Sequence, residues 1–478
     1  MSSSSPVTRR NLLQLFGAAP MLPLTTSLVS ASTLLTACGS SSAAAPAFKD
    51  VSFSHMAAPT LANAADMATT KVGSTMSVNY VDGTKKDFAL SYQPFFTTGD
   101  MVSDGNGGTI LAGGYFDIYN QPIMDTTVAG SSRQFFSDSP DGTSLLSVAN
   151  AKVTGVKGNT VFAVVQFEYT TWAQDGTTGM YGKLPSPIAV LTLDQDTSTG
   201  KLSLVKYHNV DTSNVHGLWI TCGASLSPWG THLSSEEYEP NAFTASTDAQ
   251  FKTFSKNLYG SDTAANPYHY GHMPEVTVNA DGTGSIKKHY CLGRISHELV
   301  QVMPDNRTVL MGDDATNSGY FVFVADKEKD LSAGTLYVAK VGTGFSVDPA
   351  ATTAAPLTWI KLGSATSAEI HRLASTLTPT QIMDVKTTDP SDASYTKINA
   401  NGRTEWVKLV AGMEKAAAFL ETHRYASLLG ASMGFSKMEG TTVNIKDKVA
   451  YSALQNCVTS MVSGNALNTA GNGVAISS

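Results

Sequence analysis

The chain lacks the features of several protein classes. Its 478 residues contain no long basic block, and after residue 38 no apolar run is long enough to cross a bilayer. The 32 Lys and Arg residues are outnumbered by 39 Asp and Glu, giving a formal net charge of −7. This balance argues against nucleic acid as a partner. It favours calcium binding, and an anionic substrate would need a bound cation to help hold it.

The N-terminus resembles an export signal. Arg9 and Arg10 form a twin-arginine pair, and a moderately apolar stretch rich in Ala, Thr and Ser follows. The sequence Leu35–Cys38 fits a lipoprotein cleavage site with Cys38 lipidated; a plain signal peptide with an incidental Cys38 is the alternative. We expect residues 1–38 to be a Tat-type signal and 39–50 a flexible tether. The protein would then be periplasmic or at the cell surface, touching the membrane only through a lipid on Cys38.

Cysteine is scarce, with four in the whole chain. After Cys38 only Cys222, Cys291 and Cys457 remain, and an odd number leaves at least one thiol unpaired within the chain. A disulfide between Cys222 and Cys291 is one reading, and a thiolate metal ligand is the other. Because the Tat route carries folded proteins, a metal inserted before export would be compatible with the second reading.

The chain is rich in turns, with 40 glycines, and its pattern from about Asn159 onward is one of short strands. NTVFAVVQFEYTTW alternates as a strand does, and hairpin patterns recur in IAVLTLDQDTSTGKLSLVKY, EVTVNADGTGSIKKHY, ELVQVMPDNRTVLMGDD, FVFVADKEKDLSAGTLYVAKV and VNIKDKVAYSALQ. They predict an all-β fold, a β-propeller of about six blades over residues 51–478, with a large β-sandwich as the alternative. Residues 403–430, rich in Ala, Leu, Glu and Lys, predict a helical insertion outside the blades.

Acidic residues recur where strands meet turns. They are Glu168, Glu236, Glu237, Glu275, Glu298, Asp313, Asp314 and Glu439. A solvated surface position is the default for any one of them, but Glu168 lies in an apolar strand and Asp313 follows one directly. Burying such charges costs several kcal/mol each unless cations or donors compensate. A propeller channel would bring them together. Many carboxylate oxygens suit Ca²⁺ and one added thiolate suits a softer metal such as iron.

The stretch CGASLSPWGTHLSSEE resembles the signature of the PhoX-type alkaline phosphatases, which reads close to C-A-G-G-x-T-P-W-G-T-W-L-T-C-E-E. Further elements of that family are matched by QFEYT, by GRISHELVQV, by the stretch from VLMGDD to LYVAKV, and by RYASLLGASMGFSKMEG. The order of the motifs is that of the family from about residue 90 to 455.

The resemblance implies a β-propeller, Tat export, and hydrolysis of small phosphate monoesters at alkaline pH by a centre containing Fe³⁺ and Ca²⁺. By position, Cys222 would be the iron thiolate and Glu298 the shared iron carboxylate. The further expected metal ligands are Glu168, Glu237, Asp314 and Glu439. Lys437 and Arg294 are the expected catalytic residues that hold the phosphate. Which member of Glu236–Glu237 and of Asp313–Asp314 points inward is open, because neighbours on a strand face opposite sides.

The sequence also departs from the family pattern. Lys437 stands where an arginine is usual, and a lysine supplies a point charge without a bidentate fork. Only about forty residues follow the SKMEG element, so we expect either an incomplete last blade or a propeller that closes differently. Two other functions fit these departures: a non-catalytic, metal-stabilised propeller that binds a phosphorylated or acidic ligand, and a propeller hydrolase acting on phosphodiesters or lactones. We expect a monomer.

Overall fold

A computed structural model of the protein describes residues 46–60, 62, 65, 71–342, 345, 354–456, 460–462 and 465–466. The proposed signal and lipidation site at 1–38, and Cys457, lie outside these residues. The chain divides into two compact units, Met1–Thr97 and Thr98–Ser478. The single unit expected from residue 51 onward is therefore divided near residue 97.

The first unit holds a three-stranded antiparallel sheet. Its strands, in spatial order, are β1 (Phe48–Phe53), β2 (Lys71–Tyr80) and β3 (Lys85–Ser91). The predicted tether at 39–50 was too long, because Phe48 to Asp50 pair with β2. The link between β2 and β3 is a tight turn in which Asp82 accepts the backbone N–H of Thr84 at 2.9 Å and Gly83 has a φ of +85°.

The second unit is dominated by short antiparallel strands. In chain order they are β4 (Met101–Ser103), β5 (Thr109–Leu111), β6 (Met124–Asp125), β7 (Arg133–Gln134), β8 (Pro140–Leu146), β9 (Asn159–Phe167), β10 (Ile188–Gln195), β11 (Leu202–Asn209), β12 (Ser225–Leu226), β13 (His232–Leu233), β14 (Met273–Val278), β15 (Gly284–His289), β16 (His297–Val302), β17 (Thr308–Ser318), β18 (Phe321–Lys327), β19 (Asp330–Val341), β20 (Leu357–Thr366), β21 (Met383–Lys386), β22 (Thr396–Ala400), β23 (Arg403–Leu409), β24 (Phe435–Asn444) and β25 (Val449–Leu454).

Helices are few among the residues that the structure describes. They are α1 (Ala249–Tyr259), α2 (Ser367–Thr376), α3 (Pro379–Ile382), α4 (Glu414–Leu420) and α5 (Thr422–Leu428), with 3₁₀ turns at Ser213–Val215, Pro267–His269 and Tyr290–Leu292. Asp248 caps α1 by accepting the N–H of Phe251 at 2.7 Å. None of the helices in these ranges has both the length and the apolar character needed to cross a bilayer.

The strands pair with their chain neighbours, as the hairpin patterns predict. One sheet has the order β11-β10-β9-β8 and another β12-β13-β14-β15. The largest sheet has the order β20-β19-β18-β17-β24-β25, with β16 also pairing with β17, and a small sheet has the order β21-β23-β22. The all-β class is confirmed, and the two four-stranded meanders have the design of propeller blades. The closed propeller and its six blades stay a prediction.

The prediction of a helical insertion at 403–430 was wrong for residues 403–409, which form a strand, and wrong in placing the helices outside the core. Arg403–Leu409 is the strand β23, whose buried Glu405 and Val407 alternate with more exposed neighbours. A period of two is the signature of a strand, which the abundance of helix-forming residues obscured. Helices α4 and α5 follow, and the residues from Ala416 to Leu420 are buried in the largest hydrophobic core rather than in an external lid.

Replacing Phe419 by alanine tests this placement, because Phe419 is fully buried in that core. Removing a buried phenylalanine ring typically costs about 3–5 kcal/mol of the free energy of unfolding. Urea denaturation of Phe419→Ala should show a loss of that order, whereas Leu429→Ala, at a half-exposed site after α5, should stay within about 0.5 kcal/mol of the wild type. Equal, small effects of both substitutions would contradict a core position for α4.

Candidate metal centre

The backbone of Cys222 is fixed by two neighbouring sheets. Its carbonyl oxygen accepts the N–H of Gly142 at 3.2 Å and the side-chain amide of Gln166, which lies on β9. The other end of Gln166 contacts Nε2 of His232 on β13 at 3.0 Å. His232 is completely buried and also contacts Ser144 Oγ on β8 at 2.8 Å. The peptide carrying the thiol is thus held by a polar network that spans β8, β9 and β13.

The thiol of Cys222 belongs to two groups of potential metal ligands. In one group it lies with Asp141 and Glu168, and in the other with Glu237 and Glu298. Within each group, one ligand atom from every residue lies within 4.8 Å of the others. Because both groups contain the same sulfur atom, a thiolate at this position would face two adjoining sets of carboxylate oxygens.

Strand ends bring these carboxylates together. Asp141 lies at the start of β8, and Glu168 directly follows β9, where its N–H bonds to the carbonyl of Ser139 at 2.9 Å. Glu298 lies on β16. The N–H of Glu237, beyond β13, bonds to the carbonyl of Ile220 at 3.1 Å.

The turn between the thiol and the acidic pair is held by hydrogen bonds. Pro228 to Gly230 connect β12 to β13, and Gly230 takes a φ of +84°, a conformation that favours glycine. The side chains of Trp229 and Thr231 donate to Oε1 of Glu275 at 2.9 and 2.6 Å. Glu275 therefore fixes the turn and takes no part in either thiol group.

Glu236 and Glu237 have different roles, which the sequence left open. Glu236 is completely buried, and Oε1 accepts the N–H of Trp219 at 3.0 Å and the ammonium of Lys288 at 2.8 Å. Its Oε2 accepts the N–H groups of Gly271 and His272, both at 3.0 Å. These bonds occupy Glu236 in the scaffold, so Glu237 is the member of the pair that joins the thiol cluster.

The pair Asp313 and Asp314 divides in the same way. Asp313 Oδ2 is 2.7 Å from Nε2 of His423, whose Nδ1 is 3.1 Å from Glu239. Although burial opposes it, contact with the two carboxylates raises the pKa of His423 to about 10, so the imidazole is charged and this network is an ion triad. Asp314 instead contacts Lys437 and Tyr238.

Lys437 lies where a substrate could reach it. Its Nζ contacts Asp314, donates to the hydroxyl of Tyr238 at 2.6 Å, and is 3.7 Å from Glu439 Oε1. Lys437, Tyr238 and Asp314 line a cavity of about 690 Å³, which Arg403 also lines. Asp314 thus lines this cavity and Glu439 lies beside Lys437, but neither acid is a member of the two thiol groups.

The phosphate-binding role predicted for Arg294 is not supported. The residue is 4% exposed, and its guanidinium donates to the backbone carbonyls of Tyr270, Leu420 and Pro240. It also lies over the ring of Tyr268, 5.5 Å from the centroid. Three of its five N–H donors bond to backbone carbonyls, so Arg294 ties loops to the helical layer, a role that its position in a family motif does not reveal.

Without cations, the carboxyl groups and the thiol of this cluster favour their protonated forms. Burial, with the charges of neighbouring acids, raises the pKa of Glu168 to about 7, of Glu298 to about 8 and of Glu237 to about 11. Burial also raises the pKa of the Cys222 thiol far above its usual value, and the nearby glutamates add to the rise. Positive charge is therefore needed to keep these groups ionised at neutral pH.

The residues present fit a centre of iron and calcium. Oε2 of Glu298 and Oδ1 of Asp314 are buried and accept no hydrogen bond from any residue that the structure describes. A Cβ on Gly223 would lie 2.8 Å from Glu298 Oε1, so glycine is required for the close approach of this carboxylate. Carboxylate oxygens suit Ca²⁺, and the thiolate adds a ligand for a softer ion such as iron.

Asp141 is the ligand candidate that the sequence analysis missed. Its Oδ2 lies 3.8 Å from the Cys222 sulfur. The residue sits in a Pro-Asp-Gly-Thr stretch that reads as an ordinary surface turn, 81 residues from Cys222 along the chain. An acid at the start of a strand was the only available signal.

The reading of Cys222 and Cys291 as a disulfide is also excluded, since both thiols are free.

Comparison with known proteins identifies the family. A family model described as alkaline phosphatase PhoX matches residues 198–476, more than half of the chain. The chain belongs to the PhoX alkaline phosphatase family. It is therefore a phosphoric monoester hydrolase. The matched range contains Cys222, Glu237 and Glu298, whereas Asp141 and Glu168 precede it and join the cluster through the fold.

A solved structure is also similar. It is Pseudomonas fluorescens PhoX in complex with vanadate, a transition state analogue, with 17% identity and a TM-score of 0.34, covering 80% of this chain and 84% of that one. Similarity at this level carries no argument about the site. No curated protein matches the chain.

Metal-free protein should reveal the cost of the buried carboxylates. The raised pKa of Glu237 means that the folded state holds a proton that the unfolded state releases above its ordinary pKa of 4.5. Stability is therefore lost as pH rises from there toward 11. Glu237→Gln has no such titrating group. Its free energy of unfolding relative to that of the wild type should therefore rise by on the order of 1–3 kcal/mol between pH 5 and pH 8.

Urea denaturation of both chelator-treated proteins at the two pH values measures this difference. With Fe³⁺ and Ca²⁺ restored, the wild type should become the more stable protein, because the Glu237 carboxylate neutralises bound cations and the glutamine amide does not. A stability difference that does not change with pH would contradict the assignment of Glu237 to a buried acidic cluster.

Proposed function

We propose that this phosphatase is an exported enzyme that hydrolyses small phosphate monoesters at a mixed Fe³⁺/Ca²⁺ centre built around Cys222. The observation that carries the proposal is the position of one sulfur atom in two adjoining carboxylate groups. A single thiolate shared by two groups suits a pair of ions, and the oxygen-rich surroundings suit further hard cations.

In the proposed centre, Cys222 and Glu298 hold iron. Glu237, Glu168 and Asp141 complete the two groups with iron or calcium, and Asp314 and Glu439 extend the acidic lining toward the cavity. Cations held there would neutralise the charge of the phosphate dianion and activate a water for attack.

The side chains of the cavity position the substrate. Lys437 presents its ammonium to the cavity and is the cation nearest to Asp314. It acts as a point charge toward a phosphate oxygen, and Tyr238, which accepts a hydrogen bond from it, holds its orientation. Arg403, on the same cavity wall, offers a planar guanidinium that compensates for the arginine absent at position 437. Substrate would thus meet two cationic side chains beside the acidic lining.

The wider setting completes the proposal. The fold is a propeller of about six blades, for which the two four-stranded meanders are the support. The twin-arginine pair Arg9–Arg10 directs export through the Tat route to the periplasm or cell surface, where a lipid on Cys38 anchors the chain. The catalytic unit acts as a monomer.

Turnover of p-nitrophenyl phosphate at alkaline pH, with iron and calcium determined on the same samples, tests the function. Cys222→Ser should lower kcat/KM by about 100-fold or more and lower the iron content, because it removes the ligand shared by both groups. Cys291→Ser is the matched control. Its thiol is buried 3.2 Å from the carbonyl of Leu331, away from both groups, so activity and metals should be retained.

The possible outcomes separate the competing functions. Wild-type protein that retains iron and calcium yet hydrolyses no phosphate monoester would instead favour a binding propeller. Preferential hydrolysis of phosphodiesters or lactones would favour the other propeller hydrolases. Full activity in Cys222→Ser would remove the thiolate from the proposed centre.

A further inference from the structure

A second cluster of metal-binding side chains lies outside the two Cys222 groups. One ring nitrogen from each of His216, His269 and His371 lies within 4.8 Å of the others. We propose that these three histidines bind one divalent transition-metal ion of the zinc type. Imidazole nitrogens are preferred ligands of such ions, and three of them with one open position form a common zinc site.

The three histidines come from separate parts of the chain. His216 follows the 3₁₀ turn at Ser213–Val215 and has a φ of +66°, His269 ends the turn at Pro267–His269, and His371 lies on α2. His216 Nε2 is 3.0 Å from His371 Nε2, and the rings of His216 and His269 stack with their centroids 3.8 Å apart. Local sequence does not produce this convergence, so the packing of the whole domain must hold it.

A hydrogen bond to one ring nitrogen of His269 orients its imidazole, as is usual for histidines that bind metals. The hydroxyl of Ser375, one turn beyond His371 on α2, donates to the carbonyl of His371 at 2.9 Å. Its oxygen must then accept from Nε2–H of His269, which lies 3.1 Å away. This fixes the tautomer of His269 and leaves the lone pair on Nδ1, as in histidines whose second nitrogen is held by a polar group.

The charges around the cluster permit a cation. Burial lowers the pKa of His216 to about 4 and of His269 to about 3, so both imidazoles are neutral at neutral pH. Lys288, the nearest buried ammonium, is 2.8 Å from Glu236, and Lys287 is 3.1 Å from Glu275. Both ammonium groups are thus paired with carboxylates, which reduces their repulsion of a bound ion.

An adjoining cavity offers space for a fourth ligand. It has a volume of about 200 Å³ and is lined by His216, His371 and Tyr290, by the paired lysines Lys287 and Lys288, and by others. The hydroxyl of Tyr290 is buried and has no hydrogen-bond partner among the residues that the structure describes. A water bound to the ion in this cavity would give the hydroxyl a partner, and a direct imidazole–imidazole bond would not. The unpartnered hydroxyl is thus compatible with a hydrated ligand in this cavity.

Cobalt uptake tests the site without reference to phosphatase activity. The full chain carrying Cys222→Ser, which removes the thiolate centre, is stripped of metal and titrated with Co²⁺ as a spectroscopic probe. The histidines should bind one Co²⁺ with the visible absorption bands of a low-coordinate nitrogen site, and Zn²⁺ should abolish these bands by displacement. Adding His371→Ala should remove the bands and reduce the Co²⁺ bound by one ion per chain.

Two controls keep the result decisive. His371 is partly exposed on a helix, where alanine is a strong helix former, and circular dichroism checks the fold. His371→Gln, which keeps more of the side-chain volume, should give the same loss. Equal Co²⁺ binding and equal bands with and without His371 would overturn the proposal. So would the absence of any Co²⁺ bands in the folded Cys222→Ser protein. Either outcome would leave the separate proposals for the Cys222 centre and for the phosphatase function unaffected.

Discussion

The structure depends on the gathering of buried negative charge around the sulfur of Cys222. Four carboxylates share two ligand groups with this thiol, and burial raises the pKa values of the glutamates among them. Such a cluster is costly without cations and strongly favours their binding. The folded state and the metal centre are therefore coupled, and each strand end that carries a ligand contributes to both.

In each of two pairs of adjacent acids, one carboxylate is bonded within the scaffold and the other faces the site. Glu236 is saturated by backbone N–H groups and Lys288, while Glu237 joins the thiol cluster. Asp313 is paired with His423, while Asp314 faces Lys437 at the cavity. One residue of each pair anchors the polypeptide inside the domain. Asp313 and Asp314 lie on β17, where strand alternation aims neighbours at opposite sides, whereas Glu236 and Glu237 lie beyond β13 and are separated by their different contacts.

The sequence was informative where local patterns determine structure. Alternating apolar residues around Asp-Gly and Pro-Asp-Asn turns predicted the hairpins, and the Cys222 motif predicted the centre of the site. Contacts between distant segments left weaker signals. Asp141 resembled a turn residue, and the three clustered histidines have no common motif. Arg294 lies in a family-like motif, yet only the fold shows that backbone carbonyls occupy its guanidinium. In β23 the strand-favouring residues Thr404, Trp406 and Val407 agree with its pairing to β21 and β22, and the helix-forming composition of the residues that follow had hidden this.

The most direct test of the shared thiolate is X-ray absorption spectroscopy at the iron edge on the metal-loaded protein. The account predicts a sulfur scattering path in the wild type and in Cys291→Ser. In Cys222→Ser, any iron that still binds should show only oxygen and nitrogen neighbours. Iron surrounded by oxygen and nitrogen alone in the wild type, or an unchanged sulfur path in Cys222→Ser, would contradict a metal centre built on Cys222.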